Sequence, residues 1–308
     1  MERFWATVGQ SLSAIEAPFE SRRVFHGRGR TVPGLEFLNC DLFHPLLLVT
    51  MYEPRPEPWW TEFGARANQL ASTHSLEAVV VQRRDLPEAP AHVVVGTIPA
   101  EVSALQGQLR YALSIARGGR NTGFFLDMAT AHSWTLAHSA GRNVLNLFAY
   151  TCAFSTAAIA GGAVGVVNID MSKRALGIGR TNHQANGLDT RRANYLAHDI
   201  FKSWGKLKRL GPYDLVVIDP PSYQYKSFVT DQDYPRVLRR LESLTRPGSQ
   251  VLAALNSPDH SEQDLHDFFA QSAPDFAFVE RLAPAPGFVD IDPDRSLKVL
   301  LFERVASG

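Results

Sequence analysis

Two cysteines, Cys40 and Cys152, are all that the 308 residues contain. That is too few for a disulfide framework, and no Cys/His set has the spacing of zinc ligands, so a reducing, cytoplasmic setting is expected. A surplus of either charge is missing too, because 31 basic residues balance 31 acidic ones. That excludes a whole-molecule field for nucleic acid; any such contact has to come from local clusters of Lys and Arg. No stretch reaches the roughly 18 uncharged apolar residues of a membrane span, and Met1 to Trp5 opens without an apolar leader core. Neither secretion nor a membrane partner is expected. The dinucleotide fingerprint GxGxxG and the phosphate-binding GK[ST] loop are absent, which argues against nicotinamide and nucleoside triphosphates.

What is present is enough apolar material, 45% of residues, for a large core or two ordinary ones. With no internal repeat, organisation is read from periodicity and from Pro and Gly punctuation. Over 1–105, apolar runs at Leu46 to Met51 and Ala78 to Val81 flank a helical segment around Trp60 to Ser72, the pattern of a small α+β domain. Over 106–308, short strands are expected at Val144 to Phe148, Gly165 to Ile169, Leu215 to Ile218 and Val251 to Leu255, separated by helices. That alternation predicts an α/β fold with a mixed, mainly parallel sheet, whose ligands sit beyond the carboxyl ends of the strands.

The residues just after each strand are therefore the candidates. Asn146 to Ser155 forms a small-residue turn opening a helix, whose first N–H groups suit a cofactor; an ordinary tight turn is the bland alternative. The next strand ends in Asp170, Met171 and Ser172, about 20 residues further on, where a carboxylate can accept both hydroxyls of a ribose. A helix cap is the rival role, and Ser172 could serve it as well. His198, Asp199 and Ile200 offer an acid for an adenine amino group and an apolar cover, against the default of a surface loop. Val216 to Ile218 leads into Asp219, Pro220, Pro221, Ser222 and Tyr223. Two prolines remove two donors and fix two φ angles, and Asp219 is pushed into an extended conformation, giving a rigid exit that can accept from a base. One proline would have sufficed to end a strand.

These residues resemble the ribosomal RNA large-subunit methyltransferases of the I and K/L types, which set a Rossmann-like class I domain, dependent on S-adenosylmethionine (SAM), behind a small RNA-facing domain. The match includes Phe25 to Gly29, Pro33 to Glu36, and Thr122 to Asp127, which looks like the family's cofactor-edge segment and brings in Phe125. It continues through Val144 to Phe154, Asp170 to Ser172, and Asp219 to Tyr223. The resemblance implies SAM as cofactor, with its methionine part on Asp127 and on Phe148, Ala149, Tyr150 and Thr151, its ribose on Asp170, and its adenine on Asp199 and Ile200. Asp219 and Pro220 would face the target base. The family usually has glycine where this chain has Cys152, and arginine where it has Ala129.

Methylation at carbon 5 of cytosine needs a thiolate to attack carbon 6. The cytosine-5 members place that cysteine after a late strand, where this chain has Asn256, Ser257 and Pro258. A base nitrogen of RNA is then the expected acceptor. Asn256 and Ser257 resemble the guanine-N7 branch, which favours guanine in 23S rRNA, although Asn and Ser are also common loop residues. RNA contacts are expected from Arg22, Arg23, Arg28 and Arg30 as a mobile basic loop, from Lys202, Lys206, Lys208 and Arg209, and from Arg236, Arg239 and Arg240; solvated charge is the default for each. A methyltransferase for a small molecule or protein, and a non-catalytic RNA-binding scaffold, are the rival functions; monomer and homodimer both stay open.

Overall fold

A computed structural model describes residues 1–17, 19–115, 119–221, 223–224 and 228–306. The chain divides into two compact units, Met1–Asp127 with Ala285–Ile291, and Met128–Pro284 with Asp292–Gly308. Residues 106–127, expected in the second domain, thus group with the first.

The first unit comprises α1 (Glu2–Ser13), β1 (Arg22–His26), β2 (Leu38–Phe43), β3 (Leu46–Met51), α2 (Glu57–Thr73), β4 (Ala78–Arg83), β5 (Ala91–Gly96), and the hairpin β6 (Ser103–Gln106) and β7 (Leu109–Ala112). Strands β1 to β5 form a sheet in sequence order, antiparallel except where α2 crosses between β3 and β4. Helix α1 presents Phe4, Trp5, Val8 and Leu12 on one face to the core, and Phe4 and Trp5 meet Phe63 of α2. Segment Ala285–Ile291 joins this unit because Gly29 lets it approach: a β-carbon there would overlap the carbonyl oxygen of Val289. Ile291 N–H donates to Gly29 O at 3.0 Å, and Arg30 pairs with Asp290.

The second unit comprises α3 (Ala129–His138), β8 (Asn143–Leu147), α4 (Ala153–Ala160), β9 (Gly165–Asp170), α5 (Lys173–Ala185), β10 (Ala193–Ala197), α6 (Trp204–Leu210), β11 (Tyr213–Ile218), β12 (Tyr223–Gln224), β13 (Phe228–Val229), α7 (Thr230–Leu238), α8 (Leu241–Leu244), β14 (Thr245–Leu255), α9 (Glu262–Ser272), β15 (Phe276–Arg281) and β16 (Lys298–Arg304). Seven strands make one sheet in the order β10-β9-β8-β11-β14-β16-β15. The first five run parallel, β16 runs antiparallel to them, and β15, antiparallel to β16, returns to their direction, which is the mixed, mainly parallel sheet expected. Alternate residues feed two cores: Leu145, Val216 and Val251 face one layer, Val144, Val217 and Leu252 the other. Among the described residues, no helix is long and apolar enough to cross a membrane.

Candidate active site

Register aligns the strand exits at one edge of the second unit's sheet. Leu147 lies beside Ile169 and Ile218, Asp170 beside Ala197, and Ile218 beside Ala253. The turns that begin at Phe148, Asp170, His198, Asp219 and Asn256 therefore share that edge.

The turn after β8 is held against its own preference. Phe148, Tyr150 and Cys152 all take left-handed φ, at 56°, 45° and 59°. Each costs about 1–2 kcal/mol for a residue with a β-carbon. The folded surroundings oppose that cost. Ala149 N–H donates to Ile169 O at 3.0 Å, and Tyr150 N–H donates to Asp170 Oδ2 at 2.9 Å. Asp170 Oδ1 accepts from Ser172 N–H at 2.7 Å, so one carboxylate holds two turns together. Ser172 Oγ caps α5 by accepting from Ala175 N–H at 3.1 Å. The cap is thus Ser172's task, and Asp170 stays half-buried at the strand tip with Met171 exposed beside it. Burial, and then the Asp170 charge, raise the pKa of Tyr150, with Arg174 acting the other way.

Beneath this turn runs a closed polar chain. His183 Nδ1 faces the carbonyl of Gly179 at 2.8 Å, so it carries the proton. Its Nε2 then accepts from Ser155 Oγ at 3.0 Å; Ser155 accepts from Asn168 Nδ2 at 2.9 Å, and Asn168 Oδ1 accepts from Asn146 Nδ2 at 2.9 Å. Burial lowers the pKa of His183, in keeping with a neutral ring. Asn146 was expected to touch the cofactor. It is 1% exposed, and its amide serves this network instead. Ala149 and Thr151 are also buried, and Thr151 O accepts from Asn182 Nδ2.

At the β10 exit Asp199 accepts from Phe201 N–H at 2.9 Å, capping a 3-10 turn, and lies 3.7 Å from Lys202 Nζ. Ile200, expected to cover a ring, is 4% exposed and packs with Leu207 and Val216. The half-buried aromatic next to Asp199 is Phe201, which lies under the guanidinium of Arg236 at 4.2 Å. It was missed because one aromatic after an acid carries no periodic signal. Asp219 and Pro221 are half-buried and Pro220 is buried. Ser222 lies outside the described residues, and Tyr223 enters β12. At the β14 exit Asn256 is exposed, while Ser257 is buried.

Phe125 and Asp127, expected at the cofactor edge, belong to the first unit, where Phe125 is exposed and Asp127 sits in a 3-10 turn. The basic loop expected there is largely committed: Arg23 forms a two-point pair with Asp41 and covers Phe288, and Arg30 pairs with Asp290. Arg28 is exposed, over the Tyr52 ring at 4.8 Å. In the second unit Lys208 and Arg209 are exposed at the end of α6, and Arg236 pairs with Asp233. Both cysteines are buried, and burial pushes both thiols well above their usual range. No set of three metal-ligating side chains occurs among the described residues.

A family model described as S-adenosylmethionine-dependent methyltransferase matches residues 22–303. Ribosomal RNA large subunit methyltransferase I of Aeromonas hydrophila is 34% identical over 155 residues, which cover 49% of this chain and 39% of that protein. The Erwinia tasmaniensis protein of the same name is 26% identical over 280 residues, 88% of this chain and 71% of that one. The matched part thus spans less than half of the Aeromonas protein. A Streptococcus mutans structure assigned as a SAM-dependent methyltransferase superposes with TM-score 0.84 at 21% identity over 98% of this chain and 81% of its own. The SAM-dependent methyltransferase of Agrobacterium tumefaciens does so with TM-score 0.65 at 17% identity over 88% of each. At such identities the likeness speaks to the fold.

Proposed function

The chain belongs to the S-adenosylmethionine-dependent methyltransferase family, and from that premise we propose that it transfers the methyl group of SAM to a nitrogen of an RNA base, guanine in large-subunit ribosomal RNA being favoured. The observation that carries the cofactor assignment is the carboxylate of Asp170. Each oxygen takes one backbone N–H, and a carboxylate oxygen has two lone pairs, so one on each remains for the two hydroxyls of a ribose. In this proposal the turn from Phe148 to Thr151 borders the methionine part, and Asp199 with Phe201 borders the adenine. SAM supplies a methyl group on a positively charged sulfur, open to direct attack by a nitrogen lone pair. Asp219 and Pro220 at the rigid β11 exit, with Asn256 at the β14 exit, orient the base so that its nitrogen meets that methyl group.

Two cysteine observations support nitrogen over carbon 5 of cytosine. Neither thiol stands after β14, and both are buried with raised pKa values, the opposite of what a nucleophilic thiolate needs. Support for RNA comes from the names of the Aeromonas and Erwinia relatives. Exposed Arg28, Lys208 and Arg209 are the local contacts for phosphate. The test is transfer of labelled methyl from SAM into protein-free ribosomal RNA; incorporation is expected, and its absence from every RNA offered overturns the proposal.

A further inference from the structure

Lys298 opens β16 opposite Leu255, the last residue of β14, and its side chain is wholly buried. Its Nζ donates to three carbonyls, of Ser257 at 3.0 Å, His260 at 2.6 Å and Asp294 at 2.5 Å. Three acceptors use every proton of an ammonium group. Burial lowers its pKa, while Asp294 acts in the other direction. A buried cation costs more to desolvate than an apolar residue of the same size. What it gains here is a loop pinned at two points, and that loop is the exit from β14.

The loop is held from a second side. His260 Nδ1 lies 3.0 Å from Ser257 Oγ, and His260 Nε2 lies 2.9 Å from Asp231 Oδ1 at the start of α7. A carboxylate only accepts, so Nε2 carries a proton and donates to Asp231. Helix α7 is the first helix after the β11 exit at Asp219. Hydrogen bonds thus run from Lys298 through the loop and His260 to Asp231, tying the β14 exit to the helix that follows the β11 exit. A Ser, His and Asp in one chain also suggests a nucleophile. Ser257 is 4% exposed and already accepts from Asp259 N–H at 3.3 Å, so its hydroxyl has no route to a substrate.

We propose that Lys298 and His260 are positioning residues for methyl transfer, a brace that fixes the Asn256 loop against the start of α7 so that the acceptor base is presented in one geometry. This rests on the assignment of Asn256 and Asp219 to the acceptor side. The ribose carboxylate and the turn bordering the methionine part, at the exits of β9 and β8, lie outside the brace.

The test uses the full chain with Lys298→Met and, separately, His260→Gln. In each variant kcat for methyl transfer into ribosomal RNA falls about 10- to 100-fold, the scale of a misplaced acceptor. Affinity for S-adenosylhomocysteine stays within about twofold of the parent, and amide exchange rises in 256–261 and 230–238 together. Unchanged kcat, or loss of S-adenosylhomocysteine binding and Tm in step with kcat, overturns the proposal; the second outcome marks a merely structural role. If the parent itself transfers no methyl to RNA, the substrate assignment fails by itself and amide exchange still decides the brace. A joint rise in both segments supports it, and a rise confined to 256–261 overturns it.

Discussion

A β-carbon on Gly179 would overlap Sγ of Cys152, so these two positions, one at the start of α4 and one inside α5, are matched in size. The missing β-carbon on Gly179 makes room for the Cys152 side chain at the turn after β8. It also sets a prediction whose sign is informative. Replacing glycine by alanine inside a helix normally stabilises by up to about 1 kcal/mol. Gly179→Ala is expected instead to destabilise by about 1–3 kcal/mol, because the added methyl meets packed sulfur and backbone. In a Cys152→Gly background most of that cost should vanish. A denaturation double-mutant cycle measures the coupling, and simple additivity contradicts the pairing.

Asp170→Asn tests the carboxylate that joins two turns. An amide has a single acceptor oxygen, so one of the N–H groups of Tyr150 and Ser172 must then face an NH2 group. The NH2 group also cannot accept from a ribose hydroxyl, and losing that contact at about 1–3 kcal/mol predicts a loss of S-adenosylhomocysteine affinity of about 5- to 150-fold by calorimetry. Binding within about twofold of the parent would remove Asp170 from the cofactor site.

Much of this site was legible because parallel strands are short apolar runs, and the residue after each run is fixed in space by register alone. The places of Asp170 and Asp219 at the strand exits were read in that way. The left-handed φ of Phe148, Tyr150 and Cys152 was not, because none is glycine and the surrounding structure imposes the conformation. Asn146 was misplaced because an asparagine at a strand end looks alike whether it faces a ligand or a buried partner. Arg23 and Arg30 read as free charge, yet their partners lie 18 and 260 positions away, beyond any local pattern. The same distance concealed that Ala285–Ile291 packs with the first unit.

His132 gives a pH signature. It is buried, its ring meets Phe154 at 4.5 Å, and burial lowers its pKa from 6.5 to about 3. Between those values the unfolded chain binds a proton that the folded chain does not. Stability is therefore unaffected above that window and falls as pH drops through it, by about 1.4 kcal/mol per pH unit for one proton. His132→Gln should flatten the acid limb of a urea-denaturation profile by one proton. A limb of unchanged slope contradicts this.

The central claim is methyl transfer to a nitrogen of an RNA base without a covalent protein adduct. The measurement that reaches it most directly is nucleoside mass spectrometry of ribosomal RNA after incubation with this protein and isotope-labelled SAM, the RNA being drawn from cells that lack the protein. One labelled N-methylated nucleoside, a methylguanosine, is predicted. Label in 5-methylcytidine, or in no nucleoside at all, would contradict the account.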